Sequence, residues 1–334
     1  MLKDLNDASR SLLSIIQKGF PLEERPFAAL ARQTGIQEEE ALNHIRELKE
    51  KGFIIEISGI FNAAALGYAA TLVAMKVDPG KLDEAARIVS LHQGVGHNYG
   101  RDSTYNLWFT LSIPREKDLA REVNGMQKRA GAISSLILPS LHLFKIGVFI
   151  QTGKHGEESQ IEGVSSEEGD FSYDGHVSPD EINVVRGLQK DLSLELKLQP
   201  YEHLAESAGL REKTFLALAN GLLEKKVMRR YAAQLPHRHL GFTFNSMICW
   251  KAPEERKMEV GRSLASSPWV THCYERPTYA DWPYNLYSMV HGKTRDECQD
   301  KAKSLSEQVH LAEYVLLFSP KEYKKARVRY FLEE

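Results

Sequence analysis

Cysteine is scarce, long apolar runs are missing and neither sign of charge dominates, and each shortage removes a class of protein. The three cysteines, Cys249, Cys273 and Cys298, are odd in number, fall in the second half and show no Cys-x-x-Cys spacing. Neither a disulfide framework nor a zinc site is expected, and a reducing cytoplasm fits best. No apolar stretch nears the roughly 18 residues of a membrane-spanning helix, and the polar start lacks the apolar core of a signal peptide. A soluble chain with no membrane partner is expected. With 43 Lys+Arg against 45 Asp+Glu, the net charge of -2 supplies no general field for nucleic acid or an anionic membrane. An anionic ligand must therefore be held by local basic residues.

What the chain does have is an internal repeat. Gly35, Leu48, Leu66 and Gly67 recur as Gly209, Leu222, Leu240 and Gly241, each 174 positions later, and His97 and Arg101 recur as His272 and Arg276, 175 later. Solenoid repeats run to roughly 20–50 residues, so a period this long signals two fused copies of one fold. In the first copy, apolar positions Leu12, Leu13, Ile15 and Ile16, then 27–32, then Ala41, Leu42, Ile45 and Leu48 predict three short helices with helix-turn-helix spacing. A β-rich stretch over 53–60 reads as a wing. Strand, helix, strand, strand, helix and strand follow over 68–77, 81–90, 94–101, 104–113, 116–130 and 135–144, the ferredoxin-like plan. The fold class is α+β: winged helix-turn-helix over 1–60, ferredoxin-like domain over 61–150, an acidic Gly/Ser-rich linker over 151–175, then the same two domains over 176–236 and 237–334. The two copies should form an internal pseudo-dimer with their ferredoxin-like sheets packed together.

A winged helix-turn-helix followed by a ferredoxin-like domain resembles the Lrp/AsnC transcriptional regulators, and this makes DNA a partner to consider. The third helix of the first copy, however, opens with Gln37-Glu38-Glu39-Glu40, and carboxylates there suit the helix dipole but repel a duplex. The second copy opens with the mixed Arg211-Glu212-Lys213. The helix-turn-helix is expected to be a retained structural module, with no DNA bound.

Each copy also carries a chemical cluster. The first reads H-N-Y-G-R-D-S-T-Y-N-L-W-F-T from His97; the second reads H-C-Y-E-R-P-T-Y-A-D-W-P-Y-N-L-Y-S-M from His272. Side chains alternate across a strand, so His97, Tyr99 and Arg101 should share one face, as should His272, Tyr274 and Arg276, while Cys273 should point away from His272. On the next strand Tyr105 should share a face with Leu107 and Phe109, opposite Asn106, Trp108 and Thr110. A Tyr-rich strand is commonly sheet packing, and a single His is more often structural than catalytic. Recurrence of all three residue types at one spacing favours a site, and aromatic walls beside cations suit a flat, carboxylate-bearing ligand. His237 and His239 read as a solvated pair, and His291 is placed close to the second cluster. The second copy has four extra residues between its His and its Tyr-Asn-Leu, including Asp281-Trp282-Pro283, so the clusters cannot be equivalent.

Both motifs, in this order, resemble those of the siroheme decarboxylases, whose two related Lrp/AsnC-like subunits carry one motif each. The chain looks like a fusion of the two, a pseudo-heterodimer that can assemble further. The resemblance implies removal of two acetate carboxylates from siroheme to give 12,18-didecarboxysiroheme, on the way to heme d1 or to heme. It implies no cofactor and no metal held by the protein alone, since the iron tetrapyrrole is the substrate. His97 and His272 would be proton donors or axial ligands to the substrate iron, and Arg101 and Arg276 carboxylate clamps. Tyr99, Tyr105, Asn106, Trp108, Tyr274, Trp282, Tyr284, Asn285 and His291 would line the substrate. A ligand-responsive DNA-binding regulator and a tetrapyrrole carrier without turnover are the alternatives.

Overall fold

The computed structural model describes residues 5–146, 149–151, 160–162, 177–193, 198–235 and 244–332. The first helical unit is α1 (Asp7–Ile16), α2 (Pro26–Thr34) and α3 (Glu38–Glu50). The Asn6 side chain accepts the Ser9 amide at the start of α1, and Pro26 occupies the first turn of α2, where an amide would have no partner anyway. Gly35 ends α2 with φ 72°, and its repeat mate Gly209 has φ 71°. Only glycine takes that conformation without strain, which is why the turn shows the repeat so clearly.

The chain continues through β1 (Glu56–Phe61), β2 (Tyr68–Lys76), α4 (Leu82–Ser90), β3 (Val95–Gly100), β4 (Leu107–Pro114), α5 (Leu119–Ala130), β5 (Ser134–Pro139) and β6 (His142–Ile146). Two short strands, β7 (Phe149–Gln151) and β8 (Gln160–Glu162), pair antiparallel where the expected ferredoxin-like domain gives way to the expected linker over 151–175. The rest of that stretch, and His237 and His239, lie outside the described residues. The second half supplies α6 (Pro179–Leu188), α7 (Tyr201–Ser207), α8 (Glu212–Glu224), β9 (Met228–Gln234), β10 (Phe244–Trp250), α9 (Lys257–Ser266), β11 (Val270–Glu275), β12 (Leu286–Gly292), α10 (Arg295–Val309), β13 (Tyr314–Phe318) and β14 (Lys321–Lys325).

Each half builds a ferredoxin-like sheet, β5-β2-β4-β3 and β13-β10-β12-β11, and each sheet then gains a fifth strand from the other half. β14 pairs antiparallel with β3, and β6 with β11. The single strand expected over 135–144 is therefore two. Pro139 ends β5, because proline cannot donate to a continuing ladder, and the chain crosses to the opposite sheet as β6. The exchange is fixed by matching cations. Lys145 Nζ donates to Ser267 O just beyond α9 at 2.8 Å, and Lys324 Nζ donates to Ser90 O at the end of α4 at 2.9 Å. Each neutralises the carbonyl end of a helix belonging to the other half.

The expected wings are also shared. β1 and β9 pair with each other as one antiparallel ribbon, in register from Glu56↔Gln234. One hydrophobic core unites the helical units, with Phe27, Leu30 and Ile45 from one copy and Val184, Leu188 and Phe215 from the other. The two sheets cover their outer faces with α4 and α5 or α9 and α10, and enclose between them a core of Ala74, Trp108, Leu138, Met247, Cys249 and Leu317. The chain is two tandem copies forming an internal pseudo-dimer. Among the described residues no helix is long and apolar enough to cross a membrane.

Candidate functional site

The motif strands β3 and β11 lie where each sheet receives its exchanged strand. Asn98 points to the helical side, its Nδ2 donating to Ala86 O and Ser90 Oγ at 3.0 Å each. Cys273 does the same, its thiol meeting Gly261 O, and burial pushes that thiol up to about 12. His97 and Tyr99 therefore face the other sheet, as do His272 and Tyr274. The His97 and Tyr99 rings lie 6.2 Å apart at 21°, and those of His272 and Tyr274 lie 6.3 Å apart at 21°.

The arginines complete the symmetry. Arg101 Nη1 donates to Leu317 O on β13 at 3.0 Å, and Arg276 Nη1 donates to Leu138 O on β5. Each cation thus crosses into the opposite half, lying 5.8 Å or 4.8 Å from the ring centroid of Tyr99 or Tyr274 respectively. The Nε atoms of both are buried without a hydrogen-bond partner. Among the described residues neither guanidinium makes an ion pair. Burial lowers Arg101 to about 10 and lowers Arg276 as well. A cation held this way keeps a donor to spare, and a guanidinium fork matches a carboxylate in shape.

Several residues expected to line a ligand have partners within the protein. Tyr105 and Asn106 precede β4, so the alternation predicted for that strand does not reach them. Asn106 brackets Val77, accepting its amide and donating to its carbonyl at 2.9 Å each, and Asn285 brackets Ala252 at 3.0 and 2.8 Å. Their carbonyls in turn accept the amides of Arg101 and Arg276 at 2.9 Å. The Tyr-Asn-Leu element thus holds the turn that presents the arginine. Trp108 is buried, its Nε1 donating to Tyr105 O at 2.6 Å. Trp282 is buried beside it, 5.6 Å from both Trp108 and Tyr105 and 4.9 Å from Tyr284. Tyr105, Trp108 and Trp282 are inter-sheet core, while Tyr284 stays half-buried.

The extra residues of the second copy clasp the halves together. Asp281 accepts from Tyr105 OH at 2.7 Å, and Tyr279 OH bonds both the amide and the carbonyl of Ile137 on β5. Tyr279 and Asp281 were not foreseen as contacts; the only sequence signal was the length mismatch between the copies.

The clusters differ in their neighbours. His97 and Tyr99 pair with Lys325 and Glu322 on β14, whereas His272 and Tyr274 pair with Ile146 and Leu143 on β6. Burial first, and Lys325 second, lower the pKa of His97, with Glu322 opposing. His272 Nδ1 lies 3.1 Å from Thr271 Oγ1, which lies 3.0 Å from His291 Nε2. His291 is thereby joined to the second cluster. Among the described residues no group of three or more His, Cys, Asp or Glu could hold a metal ion. The acidic turn of α3 serves its own helix: Glu40 accepts the Gln37 amide, and Glu38 pairs with Arg25.

The profile of the AsnC-like ligand binding domain matches residues 65–145 and 239–324, and that of the siroheme decarboxylase NirDL-like HTH domain matches 9–54. The siroheme decarboxylase of Hydrogenobacter thermophilus is 39% identical over 324 residues, covering 97% of this chain and 95% of that protein. The siroheme decarboxylase alpha subunit of Desulfovibrio desulfuricans is 40% identical over 147 residues, 44% of this chain and 84% of that subunit. Among solved structures, siroheme decarboxylase NirDL in complex with an iron-uroporphyrin III analogue superposes with TM-score 0.75 at 32% identity, covering 98% of this chain and 95% of that one.

Proposed function

Because the chain belongs to the siroheme decarboxylase family, we propose that it removes acetate carboxylates from siroheme as a carbon-carbon lyase, using no cofactor beyond the substrate's own iron macrocycle. The observation that carries this reading is the pair of guanidinium groups of Arg101 and Arg276, whose Nε atoms are buried and which among the described residues have no carboxylate partner. A tetrapyrrole ringed with carboxylates supplies the missing charge, and a guanidinium fork matches a carboxylate in shape. Tyr99, Tyr274 and Tyr284 offer flat surfaces for the ring.

Loss of carbon dioxide leaves an electron pair on the former acetate methylene. The conjugated ring delocalises that pair, and a proton must then convert the methylene to a methyl group. His97 and His272 stack on Tyr99 and Tyr274, the rings that the two arginines also approach, and proton delivery near neutral pH suits imidazole. Anaerobic incubation with siroheme followed by mass spectrometry tests the reading. Successive losses of carbon dioxide, ending at two, are expected; siroheme bound tightly but unchanged in mass would make the protein a carrier. The protein is proposed to act in the cytoplasm without binding DNA.

A further inference from the structure

We infer that Thr271 is a positioning residue for proton delivery by His272, and that with His291 it makes the second cluster the one that donates the proton. The inference rests on the decarboxylase reading and adds to it a division of labour between the halves.

The geometry begins with a bulge. The β11–β12 ladder shifts register between Val270 and His272, leaving Thr271 as the extra residue. A bulge re-aims side chains that strict alternation would send to opposite faces. Here it brings the fully buried Thr271 hydroxyl within 3.1 Å of His272 Nδ1 and 3.0 Å of His291 Nε2. Nδ1–H donates to Thr271 Oγ1, and the hydroxyl, which also lies 3.4 Å from Met289 O, has its shorter acceptor in His291 Nε2. The chain of bonds holds the His272 ring in one orientation and keeps the Nδ1 proton in place, leaving Nε2 as the atom that gives up a proton. In the reaction the acetate C–C bond breaks, carbon dioxide leaves, and the electron pair on the methylene takes the Nε2 proton. Neutral His272 then regains a proton from solvent.

The first copy has a corresponding bulge between Val95 and Asn98 but, among the described residues, no such chain of side-chain bonds. The repeat places Gly96 opposite Thr271 and Ser112 opposite His291. A side chain at Gly96 would meet Val328 at 2.9 Å and Ala326 O at 3.0 Å, because the chain after β14 runs against it and Ala326 N donates to Gly96 O at 2.8 Å. The nearby Thr110 hydroxyl accepts the His97 backbone amide at 3.0 Å and so serves the main chain.

The test compares Thr271→Val, which keeps the shape and loses the hydroxyl, with Thr271→Ser, which keeps the hydroxyl. Partners that orient a working imidazole are worth roughly 10- to 100-fold. Thr271→Val should therefore lose about that factor in kcat while siroheme binding, read from the tetrapyrrole absorption, changes less than about threefold; Thr271→Ser should stay within about threefold of the parent. His291→Gln, whose amide oxygen still accepts from Thr271, should retain more activity than His291→Leu. Parent-level turnover by Thr271→Val, or equal losses in Thr271→Val and Thr271→Ser, overturns the positioning role alone. A parent protein that binds siroheme and never decarboxylates it overturns the underlying reading as well.

Discussion

Replacing Arg101 or Arg276 by methionine should separate folding from binding, because each cation does little for the empty protein. Arg101 makes one charge-assisted bond, Nη1 to Leu317 O at 3.0 Å, and leaves Nε buried without a partner. The bond contributes about 1.5–3 kcal/mol, and the orphaned donor costs about 1–3 kcal/mol. These nearly cancel, and a methionine fills much of the same volume, so the ligand-free variant should unfold within about 2 kcal/mol of the parent. Siroheme binding should respond very differently, since a ligand carboxylate left unpaired in a partly dry site loses about 2–5 kcal/mol. That range raises Kd by roughly 30-fold to several thousand-fold. Denaturant unfolding of the ligand-free protein gives the first quantity, and an anaerobic absorption titration with siroheme gives the second. If Arg101→Met unfolds the protein easily yet binds siroheme with the parent's affinity, the arginine is a strut between the sheets and the clamp assignment is wrong. The same comparison on Arg276, whose Nη1 meets Leu138 O, tests whether both sites hold substrate.

His97→Ala and His272→Ala should have unequal effects on turnover, with His272→Ala losing about a hundredfold or more; equal rates in single-turnover assays would refute the division between copies. Burial lowers the pKa of His97 below its ordinary 6.5, so the unfolded chain binds the proton more readily. Stability from the neutral ring is fully present above that value, and is lost as pH falls from 6.5 to the lower folded value. His97→Gln should flatten the fall in denaturation midpoint over that window, and an unchanged slope would count against it. Tyr105→Phe removes the bond to Asp281 across the halves and should cost about 1 kcal/mol in urea unfolding. Cleavage at a protease site inserted within 163–176 should leave the halves co-eluting on size exclusion, since each sheet keeps a strand of the other; separate folded halves would contradict the exchange.

The sequence by itself determined the repeat, the fold class and the chemical clusters. Gly35 and Gly209 mark one turn because no other residue takes that backbone conformation freely, and His97, Tyr99, His272 and Tyr274 share a face because strands alternate. These are local constraints, written in a few adjacent residues. Tertiary structure alone decided which half completes which sheet. Backbone hydrogen bonding along a β-edge carries little sequence identity, so nothing in His142–Ile146 or Lys321–Lys325 names the partner strand. The same holds for Arg101 and Arg276, whose acceptors are main-chain carbonyls of Leu317 and Leu138 more than a hundred positions away. For Asn106, Trp108 and Trp282 polarity and aromaticity suggest a ligand, and only the packed sheets reveal their partners in the backbone and the core. Thr271 reached His272 and His291 together through a bulge, and a bulge depends on how two strands pair.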